Sequence, residues 1–264
     1  MIKLILKVSG IAFLLYVILC GLVFLFQEKI IFHPQKLEKK HQFSFSGDFE
    51  EINIKMKDGT VLNNLLFKAK NSNGLIFYLH GNAGNLEGWG DVADVYTGMN
   101  YDVFMPDYRG YGKSEGKIEN EQQIYDDIQT LYDTIKKRYT ENKIIILGYS
   151  IGTGPAAKLA SENQPEMLIL QAPYYNLPDL MRSTFPVLPA FILKYRFETN
   201  KYLEKCKMPI VIFHGNNDNV IYYGSSLKLK EKFANIQLIT LEKQGHNGMS
   251  DNEEYRKKLQ KLIK

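Results

Sequence analysis

At 264 residues, 45% hydrophobic and 23% charged, the chain is long enough for one large core and balanced as globular proteins are. Its 33 basic and 29 acidic side chains are interspersed, and no stripe of Lys and Arg interleaved with aromatics points to a nucleic-acid partner. Cys20 falls in an apolar run and Cys206 has no metal-ligand company, so the expectation is no disulfide, no metal and no cofactor.

Residues Val8 to Phe26 are 19 positions without a charged side chain. As a helix they measure about 28 Å, against a hydrocarbon core of about 30 Å. No small-x-small site follows, and Leu19 is bulky where lipoprotein processing needs a small residue before Cys20. The run therefore reads as an uncleaved, single-pass membrane anchor, with a cleaved signal peptide as the alternative. Lys3 and Lys7 precede it while Lys29, Lys36, Lys39 and Lys40 follow, which leaves the orientation open. The expected organisation is an anchor over 1–28, a linker over 29–50 in which His33 and His41 need no role, and one domain over 51–264.

From Glu51 two β-like stretches flank an Asp58-Gly59 turn, and strands follow near Leu75, Val103, Ile144, Leu168, Ile210 and Gln237. Helical stretches separate most of them, and a final one runs from Asp251 to Lys264. Continuous apolar strands interleaved with helices predict an α/β fold with a mostly parallel sheet covered on both faces. The strand Leu75–Tyr78 leads into His80-Gly81-Asn82-Ala83-Gly84-Asn85 and a helix to about Met99. Pro106, Gly110 and Gly112 make the next strand end a tight turn, where Asp107 and Arg109 read as a structural brace. Asp126 and Asp127 read as the solvated face of an amphipathic helix.

Behind Ile144-Ile145-Ile146-Leu147 comes Gly148-Tyr149-Ser150-Ile151-Gly152. A serine where a strand turns sharply into a helix has its hydroxyl pushed outward, and only small residues two positions to either side permit the turn. The following helix, Thr153 to about Ser161, aims its first amides at that hydroxyl. Asp218 and His246 each follow a predicted strand, in the chain order Ser, Asp, His. In this reading His246 takes the Ser150 proton and returns it to the leaving group, while Asp218 fixes the imidazole tautomer. The Ile151 and Asn82 amides are the candidate oxyanion donors. His80 and His214, each before a glycine at a strand end, read as structural.

Between the strands near Leu168 and Ile210 lies a stretch too long for a plain connection, read as a short cap over about 174–200. Its apolar residues, Tyr174, Phe185 and Phe191 among them, read either as packing or as a wall for an acyl or aromatic substrate group.

Taken together, His80-Gly81-Asn82-Ala83-Gly84-Asn85, Pro106-Asp107-Tyr108-Arg109-Gly110-Tyr111-Gly112-Lys113-Ser114, Gly148-Tyr149-Ser150-Ile151-Gly152, His214-Gly215-Asn216-Asn217-Asp218 and Gly245-His246-Asn247 resemble the membrane-anchored branch of the α/β-hydrolase superfamily. That branch is often labelled serine aminopeptidase-like, and some of its eukaryotic members remove palmitoyl groups from proteins. The resemblance implies the α/β-hydrolase fold and a serine hydrolase cleaving carboxylic ester or thioester bonds, with a small-molecule or lipid acyl substrate. A departure is Asn219-Val220-Ile221 after Asp218, where the family usually carries a proline. The alternatives are an aminopeptidase, which would need Glu87 or Asp179 to hold a free amine, and a non-catalytic scaffold. Substrate identity and oligomeric state are not read from the sequence.

Overall fold

The computed structural model describes residues 1–263. Its central sheet has eight strands: β2 (Phe49–Lys55), β3 (Val61–Phe67), β4 (Gly74–Leu79), β6 (Tyr101–Pro106), β7 (Ile144–Tyr149), β8 (Met167–Gln171), β9 (Ile210–Gly215) and β10 (Ile236–Leu241). The spatial order is β10-β9-β8-β7-β4-β6-β3-β2, antiparallel only where β2 meets β3 and β3 meets β6. A separate two-stranded piece pairs β1 (His33–Pro34) with β5 (Ala83–Gly84).

Every residue of β4, β6, β7 and β9 is buried, as the unbroken apolar runs require of strands covered on both sides. Alternate side chains feed two cores. Leu75, Phe77, Ile144 and Ile146 pack under α4 (Glu121–Ile135), α5 (Thr153–Glu162) and α8 (Gly224–Lys232). Ile76, Tyr78, Ile145 and Leu147 pack under α3 (Ala93–Thr97) and α9 (Glu253–Leu262). The helix expected to run unbroken to Met99 is instead α2 (Leu86–Trp89), a tighter turn over Gly90–Val92, and α3. Phe45 presses against this stretch at Gly90, where a Cβ would lie 2.3 Å from its ring.

Helix α1 (Ile2–Ile31) is 30 residues long with a mean hydropathy of 2.6 in its best window, long and apolar enough to cross a membrane. The stretch after it is not a free linker. Phe32 and Phe43 are buried, Phe45 packs edge-on against Phe67, and β1 adds a strand to β5. Apolar residues at these positions bind the segment to the domain surface. Between β8 and β9 the chain forms α6 (Leu177–Thr184), an extended loop, a turn over Ala190–Ile192 and α7 (Thr199–Tyr202).

Candidate active site

Ser150 directly follows β7 and opens a short helical turn with φ at 53°, a left-handed conformation that a serine adopts only when its surroundings enforce it. The enforcement is visible at the two flanking glycines. A Cβ at Gly148 would lie 2.6 Å from the Gly152 carbonyl oxygen, and one at Gly152 would lie 2.3 Å from the Leu79 carbonyl oxygen. The elbow thus sits between its own helix and the end of β4, where no side chain fits.

Three loops at strand C-terminal ends converge there. His246 Nε2 lies 2.9 Å from Ser150 Oγ, and His246 Nδ1 lies 2.7 Å from Asp218 Oδ2. The Val220 and Ile221 amides donate to Asp218 Oδ1 at 2.8 and 2.9 Å. This accounts for the departure from proline in that loop, since a proline at either position would have no N–H to give. His214 Nε2 donates to the Ile221 carbonyl at 3.0 Å and stands 3.3 Å from Asp218 Oδ2, while its Nδ1 is 2.6 Å from Ser226 Oγ. Burial works against the Asp218 charge, but the hydrogen bonds from His214 and His246 and the Val220 amide outweigh it and hold the carboxyl well below its ordinary range. Sequence reading missed the contribution of His214; its four-residue spacing from Asp218 across the β9 turn was the available signal.

The oxyanion loop is braced from the N-terminal side. Asn82 donates through Nδ2 to the Ile31 carbonyl at 3.1 Å, and its own carbonyl accepts from the His33 amide at 2.9 Å and the Tyr111 hydroxyl at 2.7 Å. Gln35 bonds both the Gly84 carbonyl and Asn85 Nδ2. No acceptor for the Asn82 amide occurs among the described residues, and the Ile151 amide lies in the first turn of a helix, where amides lack intrahelical partners. Beneath the loop, His80 and Asp107 form a fully buried pair with His80 Nε2 3.4 Å from Asp107 Oδ1, and burial raises the Asp107 carboxyl.

Other expected roles change. Arg109 pairs not with Asp107 but with Asp127, at 2.6 and 2.8 Å, and with Asp58 at 2.5 Å. Asp127 is accordingly buried rather than part of a solvated face, because the guanidinium turns it inward. Tyr174 does not line a substrate wall; it is fully buried, accepting the Gly154 amide and donating to the Ile151 carbonyl. Phe185 and Phe191 are 54% and 83% exposed. Glu87 bonds His41 Nε2 at 2.7 Å, and Asp179 bonds Lys228 at 2.7 Å and the Tyr222 hydroxyl, so neither carboxylate is free to hold an amine.

Comparison with known proteins adds an independent line. Residues 70–202 match the family described as Serine aminopeptidase, S33. Alpha/beta hydrolase domain-containing protein 17B of Homo sapiens is 30% identical over 202 residues, 74% of this chain and 68% of that protein. Protein 17C of Xenopus tropicalis is 31% identical over 195 residues, and the match spans 71% of this chain but 61% of that relative's length. Among solved structures, an esterase of Pyrococcus furiosus superposes with a TM-score of 0.70 over 88% of this chain and 96% of its own, at 18% identity.

Proposed function

The chain belongs to the serine aminopeptidase S33 family of α/β-hydrolases and is an enzyme of the hydrolase class; from that premise we propose that it cleaves carboxylic ester or thioester bonds through an acyl-enzyme on Ser150. The observation that carries the reading is the continuous hydrogen-bonded chain from Ser150 Oγ through His246 to Asp218, on a serine held at φ 53°. His246 Nε2 accepts the hydroxyl proton as Oγ attacks the acyl carbonyl. The developing oxyanion is met by the Ile151 and Asn82 amides, and the leaving alcohol or thiol takes the proton from His246. Water then repeats the sequence on the acyl-enzyme. Asp218, its Oδ1 occupied by two backbone amides, presents Oδ2 to His246 Nδ1–H and steadies the imidazolium.

An acyl substrate is favoured over a free-amine substrate because Glu87 and Asp179 already have partners. In the same reading α1 anchors the chain in a membrane as a single pass over 1–28, with the domain from 51 onward at the bilayer surface. A fluorophosphonate probe should label the wild type and not Ser150→Ala; labelling that survives the substitution removes Ser150 as nucleophile. A panel of p-nitrophenyl esters against aminoacyl anilides tests the bond class, and faster turnover of anilides would reject the ester reading.

A further inference from the structure

The cap backbone makes three hydrogen bonds to side chains of the N-terminal helix that a water-exposed loop would not need. Gln27, the buried residue of α1, donates to the Ile192 carbonyl at 3.0 Å and accepts from the Lys194 amide at 2.7 Å. Further toward the N-terminus of α1, the Tyr16 hydroxyl donates to the Val187 carbonyl at 2.7 Å. Tyr16 and Gln27 are 11 positions apart on α1, about 17 Å of helix axis. The cap backbone therefore follows the helix from its charged end to near the middle of the uncharged run.

The composition of the same segment agrees. Residues 183–193 hold no charged side chain, and Arg182 and Lys194 bound them on either side. Lys194 pairs with Glu28 at 3.1 Å, the first charged residue after the apolar run of α1, so both uncharged stretches end at one level. Phe185, Val187 and Phe191 are 54%, 72% and 83% exposed, and apolar residues of α1 are exposed as well. Pro186 and Pro189 carry no N–H, and the Phe185, Leu188, Ile192 and Leu193 amides close onto nearby carbonyls. Irregular backbone survives in hydrocarbon only where its polar groups are satisfied internally, and a tyrosine hydroxyl at that depth needs a partner as much as the Val187 carbonyl does.

We propose that residues 183–193 form a second membrane-inserted element, seated beside α1 and covered by the hydrocarbon of the same bilayer. The inference rests on reading α1 as an anchor. It makes the acyl chains of bilayer-borne esters or thioesters the substrate class, because the Ile31 carbonyl at the end of α1 is bonded to Asn82 in the oxyanion loop.

The test uses full-length Phe191→Cys in a Cys20→Ser background, labelled with a polarity-sensitive fluorophore and reconstituted in phosphatidylcholine vesicles, with Lys257→Cys as a surface control. Flotation of the vesicles reports anchoring separately. The expected result is a blue-shifted emission at position 191, quenched by nitroxides on the lipid chains and indifferent to aqueous iodide, with the opposite at position 257. Iodide quenching at 191 on chains that still float with the vesicles overturns cap insertion and leaves the anchor standing. Failure to float overturns both. Protection from both quenchers assigns the patch to a second copy of the chain and likewise overturns the proposal. In a second arm, Phe185→Asp with Phe191→Asp should lose turnover of a vesicle-borne long-chain ester several-fold while hydrolysis of soluble p-nitrophenyl acetate is retained; equal loss on both substrates contradicts insertion.

Discussion

The turn at Ser150 and the loop at Val187 are both irregular backbone, held by opposite means. At the elbow the conformation is imposed sterically: a positive φ on a serine, with carbonyl oxygens of β4 and of the turn filling the space where Cβ atoms would stand at Gly148 and Gly152. At the cap tip the side chains are open to the surroundings, and a few hydrogen bonds to one distant helix locate it. Steric imposition is insensitive to solvent, whereas hydrogen bonds to an apolar helix hold best where water does not compete. The first arrangement suits a group that must not move during chemistry; the second suits one whose seat depends on its medium.

The widest separation between the two regions is expected in turnover. Ser150→Ala and His246→Ala should each lower kcat by roughly 10³ to 10⁶, and the double variant should lose little more, because residues of such a unit act together. Phe191→Ala should leave turnover of a short soluble ester unchanged. Multiplicative losses for Ser150 and His246, measured by steady-state kinetics, would mean that they serve separate steps.

Stability separates the regions next. Gly152→Ala forces a methyl to 2.3 Å from the Leu79 carbonyl oxygen, an overpacking that should cost about 1–3 kcal/mol or more. In detergent, Val187→Ala removes an exposed side chain and should stay within about 0.5 kcal/mol. Chemical denaturation of the two variants checks the contrast, and an unperturbed Gly152→Ala would show that the elbow can relax.

Charge in the site adds a pH dependence that the cap lacks. The folded state holds the Asp218 carboxyl below its unfolded value, so its ionised form stabilises the fold above the unfolded pKa, and that contribution is lost as pH falls toward the folded one. Asp218→Asn should therefore cost about 1–3 kcal/mol near neutrality, in line with hydrogen bonds to a charged group, and progressively less below about pH 4. A deficit that does not shrink on acidification would place its origin in packing rather than charge.

The elbow region was largely legible from the chain because its determinants are short-range. Two glycines around a serine, an aspartate and a histidine just past apolar strands, and the strands themselves occupy the places expected of them, and the structure brings Ser150, His246 and Asp218 together. What could not be read was pairing at long sequence separation. Arg109 reaches Asp127 and Asp58 rather than its neighbour Asp107, and Phe43 and Phe45 fold a presumed linker onto the domain. The apolar content of 174–200 was visible, but Tyr174 packs behind the elbow while Phe185 and Phe191 are exposed. Composition alone does not distinguish an aromatic that packs inward from one left exposed, because the residue types are the same.

The most local expected effect lies where the cap meets α1. Gln27→Ala leaves the Ile192 carbonyl and the Lys194 amide without their α1 partner, at a cost of about 1 kcal/mol for hydrogen bonds of this kind. Because the buried core members of the cap lie at its two ends, Tyr174, Leu177, Tyr195 and Phe197, and none lies in 183–193, that loss should not lower the global unfolding midpoint; it should open the cap tip alone. Hydrogen exchange of the full-length protein in vesicles should then accelerate at the Lys194 amide, which Gln27 Oε1 accepts, and leave the amides of β7 as slow as in the wild type. Tyr16→Phe provides the finer cut, since the Val187 carbonyl it releases has no exchangeable proton. Its effect should reach exchange only through the neighbouring Leu188 amide, which bonds Phe185 within the tip. Faster exchange at β7 in either variant would mean that cap and elbow are coupled, and the contrast between imposed and borrowed order would fail.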